Sequence, residues 1–115
     1  MKLSGCKDPA CYIQVIAAKP GERYFVRAMA RTTAERAEDT GVRIRWQDAT
    51  GKWVAPERDV PIQLGEGRRG EWRTLAGAAT VPREAGRLVV LPGTKGQAED
   101  EAAWFDDVFV CRVPD

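Results

Sequence analysis

The sequence predicts an all-β protein, an antiparallel sandwich of two sheets, and three observations lead there. Val42-Arg43-Ile44-Arg45-Trp46-Gln47 alternates apolar and polar residues without a break, as a strand with one buried face does. Turn-forming clusters such as Lys19-Pro20-Gly21-Glu22 and Asp48-Ala49-Thr50-Gly51 cut the chain into about eight short strands of the kind that build sandwiches. No segment carries apolar residues at helical spacing, so the crossover helices that parallel strands require are missing.

Taken in order, Tyr12-Ile13-Gln14-Val15-Ile16 reads as a strand that turns at Pro20-Gly21 into Tyr24 to Arg31, and the two are expected to pair as a hairpin. Thr32 to Gly41 is a charged loop in which Thr33 to Ala37 can form one helical turn. Val42 to Trp46 returns through Asp48 to Gly51 into Lys52-Trp53-Val54, a second hairpin. Pro56 to Gly70 is a long connection with a short edge strand near Ile62-Gln63-Leu64, where Pro61 suits an edge. Glu71 to Leu75 continues to Val81 before Pro82 stops it; Arg87 to Leu91 is the most apolar strand and so the central one; Pro92 to Ala102 is a polar loop; Trp104 to Val113 closes the domain. The expected core contains Trp46, Trp72, Ile44, Val89 and Val108.

The chain has 115 residues, enough for a single domain spanning 1–115 with one two-layer core. Its 18 basic and 17 acidic residues leave a net charge of +1, which gives no bulk attraction to nucleic acid or to an anionic membrane. No apolar run reaches the roughly 18 residues of a spanning helix. Thirteen of the 18 basic residues are arginine, a side chain suited to planar, bidentate or stacked contacts. The opening Met1-Lys2-Leu3-Ser4-Gly5 lacks the apolar stretch of a secretion signal, so the protein is either cytoplasmic or a piece of a longer chain, and the expectation is the second, a piece of a longer protein that is secreted or periplasmic. Cys6 and Cys11 flank the turn-prone Lys7-Asp8-Pro9-Ala10 and can close a small disulfide loop or remain free thiols, while Cys111 reads as a small buried apolar residue on the last strand.

Trp104-Phe105-Asp106-Asp107-Val108-Phe109-Val110 places two adjacent carboxylates in an apolar run. In a regular strand they face opposite ways, so one is expected to point inward and to need backbone N–H groups, an arginine or a metal as partner. Two carboxylates placed this way cannot flank a single glycosidic bond from both sides. The chain also has no histidine and no glycine-rich loop opening a helix, so catalysis by this chain is not expected.

The succession Gln14, Lys19-Pro20-Gly21-Glu22-Arg23-Tyr24, Val42-Arg43-Ile44-Arg45-Trp46 with Asp48 and Gly51, Trp72, Thr80-Val81-Pro82 and Trp104-Phe105-Asp106-Asp107-Val108 resembles the jelly-roll carbohydrate-binding modules, the galactose-binding-like sandwiches appended to bacterial glycoside hydrolases. The resemblance runs over about residues 12–113. It implies an antiparallel jelly-roll β-sandwich with a core role for Trp46 and Trp72. It also implies a further N-terminal strand, expected to be missing ahead of Met1, and a structural calcium held through Asp107. Without that strand the site has fewer than the about six to eight oxygens that calcium prefers. A missing strand would leave an open sheet edge through which two copies can pair as a homodimer.

Strand alternation turns Phe25, Arg27, Met29 and Arg31 outward, and likewise Arg43 and Arg45. Arg27, Arg43 and Arg45 are expected to share one sheet face, with Trp53 or Trp104 as an exposed stacking surface. Flat aromatic rings meet the C–H faces of sugars, and guanidinium forks bond to carboxylates or vicinal hydroxyls. The expected ligand-binding residues are therefore Arg27, Arg43, Arg45, Trp53 and Trp104, and the expected partners are a polysaccharide or oligosaccharide and the catalytic domain of a parent enzyme. The alternative from another class is a structural accessory sandwich whose arginine face docks a neighbouring domain and binds no sugar.

Overall fold

A computed structural model describes residues 2–4, 10–11, 14–33, 40–64, 70–94 and 102–114. They form nine strands: β1 (Lys2–Ser4), β2 (Ala10–Cys11), β3 (Gln14–Ala17), β4 (Arg23–Thr32), β5 (Thr40–Gln47), β6 (Val60–Gln63), β7 (Arg73–Thr80), β8 (Arg87–Thr94) and β9 (Ala102–Val113), with one 3-10 turn at Pro56–Arg58. The first sheet runs β1-β9-β4-β7; in the second, β8 is flanked by β5 and then β6 on one side and by β2 and β3 on the other. Every pair is antiparallel, and the architecture is an all-β jelly-roll sandwich.

The alternation read from the sequence holds in β4 and β5. Tyr24, Val26, Ala28, Ala30 and Thr32 on β4, and Thr40, Val42, Ile44 and Trp46 on β5, are all buried, while the residues between them are exposed or half-buried. Trp46, Ile44, Phe105, Leu88, Val26 and Val90 fill the space between the sheets. β8 is the central strand of the second sheet, as its apolar run predicts, and β6 with Pro61 is the edge. Gly41 is required by packing: a Cβ there would sit 2.4 Å from the Ile62 carbonyl oxygen, backbone that cannot give way.

Several expectations are corrected. β3 does not pair with β4 but with β8, so the Pro20-Gly21 turn carries the chain from one sheet to the other. On the first-sheet side the turn is fastened by Gly21 N–H donating to Val81 C=O at 3.0 Å and Val81 N–H donating to Glu22 C=O at 2.8 Å, which continue the β4–β7 ladder. Trp72 lies just before β7, outside the core, with 42% of its surface exposed, and Val108 is only partly buried against the core. Val89 is fully buried as expected, but its register opposite Arg45 and Val15 puts it on the outer side of its sheet.

A further correction concerns the paired carboxylates. Asp106 and Asp107 are both exposed. The register of β9 on β4 steps from Arg27 opposite Phe109 to Met29 opposite Asp106, so β9 carries one extra residue there, a β-bulge. Asp107 takes φ 50°, a left-handed value that Asp tolerates better than most residues, and its N–H donates to Asp106 Oδ1 at 2.8 Å. The strict period of two fails at the bulge, and neither carboxylate has to be buried. Cys111, expected in the core, is half-buried on the outward side opposite Phe25 and is a free thiol. β1 pairs with the start of β9, Lys2 opposite Trp104, and so occupies part of the place expected of a missing first strand. The Thr33 to Ala37 turn and the Cys6–Cys11 loop lie outside the described residues.

Candidate functional site

The outer face of the first sheet is a strip of arginines and aromatic rings. Opposed residues of antiparallel strands share a face, so the registers set out its rows: Cys111, Phe25 and Ala78; Phe109, Arg27 and Ala76; Asp106, Met29 and Thr74; Trp104 and Arg31. Trp72 lies one residue before β7 and reaches the end of the last row. The Arg31 guanidinium carbon is 4.1 Å from the Trp104 ring centroid and 5.8 Å from that of Trp72, so the cation is flanked by two indoles. Arg27 lies 5.6 Å from the ring of Phe109, which is 46% exposed. The small side chains of Ala76 and Ala78 keep the β7 side low, and the arginines are approachable from there.

The outer face of the second sheet carries a different cluster. Arg43 and Arg45 point outward from β5, and both reach Asp59, which stands just before β6: Arg45 Nε is 3.1 Å and Arg43 Nη1 3.9 Å from Asp59 Oδ2. The N–H of Arg45 Nε is not aligned for a hydrogen bond, so charge holds this contact, and Asp59 Oδ1 is buried with no hydrogen-bond partner among the described residues. On its other side Arg45 lies over Trp53, 4.1 Å from the ring centroid.

Trp53 is placed by the expected hairpin. It bridges Gln47, and Val54 N–H donates to Trp46 C=O at 2.9 Å. Asp48 closes the turn: its Oδ1 accepts from Thr50 N–H at 2.9 Å, Thr50 O–H at 2.6 Å and Lys52 N–H at 3.0 Å. The Thr50 hydroxyl, then the Lys52 N–H, hold the Asp48 carboxyl below the usual carboxylate range. A carboxylate with a depressed folded-state pKa stabilises the fold above its unfolded value, and the gain is lost as pH falls through the folded value. Asp48→Asn is therefore expected to flatten the fall in melting temperature below about pH 4, where model carboxyls titrate, when thermal melts are taken from neutral to acid pH.

The five predicted site residues thus do not meet on one face. Arg27 and Trp104 lie on the first sheet; Arg43, Arg45 and Trp53 lie on the second, on the opposite side of the sandwich. The sequence reading missed Trp72, Phe109 and Asp59. Asp59 is brought there by strand pairing: it lies two residues before Pro61, which pairs with Arg43, so continuing that register sets it opposite Arg45. Asp107, implied as a calcium ligand, is exposed on the bulge, and the described residues hold no group of three or more His, Cys, Asp or Glu able to surround a metal.

No protein-family model matches the sequence, and no curated protein matches it. Solved structures do. Over 97% of its length the chain superposes on the enzymatically active domain of tailspike protein 4 of bacteriophage CBA120, with a TM-score of 0.73 and 20% identity. A family 16 carbohydrate-binding module matches over 96% of this chain and 74% of its own, with a TM-score of 0.59 and 19% identity. A CBM4 structure matches over 97% of this chain and 81% of its own, with a TM-score of 0.57 and 18% identity. The fold is that of the jelly-roll carbohydrate-binding modules. The chain spans only 15% of the length of the tailspike chain it matches.

Proposed function

We propose that this domain is a non-catalytic carbohydrate-binding module whose first sheet lays its outer face along an acidic polysaccharide. The observation that carries the reading is the guanidinium of Arg31 set between Trp72 and Trp104, with the Arg27 and Phe109 pair further along the same strand. Arg31 lies four residue steps along the extended strand from Arg27, about 13 Å, so the strip is long enough to meet successive units of an extended sugar chain. The exposed rings offer flat apolar surface, and Arg23, Arg27 and Arg31 face outward against the single carboxylate of Asp106 in the rows. That balance favours a glycan bearing carboxylates, which guanidinium forks bind in pairs.

Joined to a parent glycoside hydrolase or related enzyme, such a module raises the effective concentration of the enzyme on its substrate without chemistry of its own. Affinity for one chain is expected to be weak, because a shallow face buries little surface. The test is native affinity electrophoresis through gels containing polygalacturonate, alginate or neutral glucans. Retardation by an acidic polysaccharide supports the reading; unchanged mobility in every gel leaves a structural accessory domain.

A further inference from the structure

Beyond the strip on the first sheet, the structure holds an open cleft of about 360 Å³ where the Asp48 turn, the loop from Trp53 to Arg58 and the turn at Glu84 meet, lined by Asp48, Trp53, Val54, Ala55, Arg58 and Glu84. We propose that this cleft is a second sugar site that takes a neutral saccharide, one ring or a chain end, on the side of the sandwich away from the first sheet.

The cleft is built to keep Trp53 in place. Asp59, whose side chain is only 9% exposed, pairs with Arg45, and Arg45 lies against the indole at 4.1 Å. One side of the ring is thereby backed by a fixed cation, yet 47% of the residue remains exposed where it lines the cleft. The loop that carries Arg58 is anchored from beneath, because the buried Trp46 Nε1 donates to Arg58 C=O at 2.8 Å. An aromatic ring held by its neighbours before the ligand arrives loses little freedom on binding. The volume falls within the range of small-molecule sites, whereas the first sheet presents a flat strip.

The polar lining sets the ligand class. Glu84 is 3.5 Å from Arg58 Nη2, so the one guanidinium lining the cleft is already matched by a carboxylate, and Asp48 adds a second carboxylate. Such a lining repels an acidic sugar and accepts hydrogen bonds from hydroxyl groups, while the indole covers a C–H face. The two sites therefore differ in chemistry, acidic chain on one sheet and neutral sugar in the cleft, and together allow one module to hold two chains.

This inference rests on the reading of the domain as a sugar binder, and the experiment separates the two. Wild type, Trp53→Ala, Trp53→Phe and Arg27→Ala are titrated by calorimetry with cellohexaose, xylohexaose, mannohexaose and galactohexaose, and in parallel with hexagalacturonate. At least one neutral hexasaccharide is expected to bind wild type and Arg27→Ala alike, to lose about tenfold or more in affinity with Trp53→Ala, and to recover in part with Trp53→Phe. Hexagalacturonate binding is expected to be unchanged in Trp53→Ala. Equal neutral-sugar affinity in wild type and Trp53→Ala, or no binding of any neutral hexasaccharide by wild type, would overturn the second site. Failure of hexagalacturonate alone would count against the first sheet and leave the cleft standing. Trp53 is half exposed, so circular dichroism of Trp53→Ala should show an unchanged fold.

Discussion

Trp46→Ala is expected to lower the free energy of unfolding by about 3–5 kcal/mol, a large part of the total for a single domain. Trp46 is 1% exposed and is the largest side chain buried between the sheets. Two effects combine. The substitution leaves a cavity beside Ile44 and Leu88, which belong to the same cluster, and it removes the indole N–H that satisfies the Arg58 carbonyl at 2.8 Å. Trp46→Phe separates them: it keeps most of the ring volume and loses the hydrogen bond, for an expected cost of about 1–3 kcal/mol. Urea denaturation followed by circular dichroism measures both. A midpoint for Trp46→Ala within error of wild type would show that the sandwich is not centred on this residue.

Arg27→Ala and Arg31→Ala are each expected to weaken binding to an acidic polysaccharide by about tenfold or more, about 1.4 kcal/mol. The estimate follows from charge-assisted hydrogen bonds, each contributing about 1.5–3 kcal/mol. The two positions differ in their surroundings. Arg27 stands exposed beside Phe109, so its loss removes a fork and little else. Arg31 fills the space between Trp72 and Trp104, and its Nε is buried without a hydrogen-bond partner among the described residues. Removing it also frees both indoles to move. Arg31→Lys keeps the charge but neither the planar stack nor the fork, and is expected to restore little. Arg43→Ala, on the other sheet, is expected to leave acidic-glycan affinity unchanged. Calorimetric titration with oligogalacturonate checks all four, and equal affinity in wild type, Arg27→Ala and Arg31→Ala would remove the strip from the mechanism.

What the sequence made legible was local. The alternation in β4 and β5 correctly assigned inward and outward residues, because side-chain direction along a strand depends only on its own backbone. The Asp48 to Gly51 turn likewise placed Trp53. What it hid was non-local. Whether Arg27 and Arg43 share a face depends on which strands pair, and β4 with β7 and β9, like β3 with β8, joins segments far apart in the chain. Asp106 and Asp107 misled for another reason: a single bulge residue resets the period, and nothing in two adjacent carboxylates announces it. Trp72 read as core by its family position, yet it lies just outside β7, where no strand alternation turns it inward.

The most direct test of the central claim is a two-dimensional ¹H–¹⁵N NMR titration of the intact domain with hexagalacturonate, read at the backbone amides and the indole N–H groups. Saturable shifts at Phe25, Arg27, Met29, Arg31, Trp72, Trp104 and Phe109, with Arg43, Arg45 and Trp53 unmoved, are the predicted result. Shifts confined to the second sheet, or no saturable shift at any position, would contradict it.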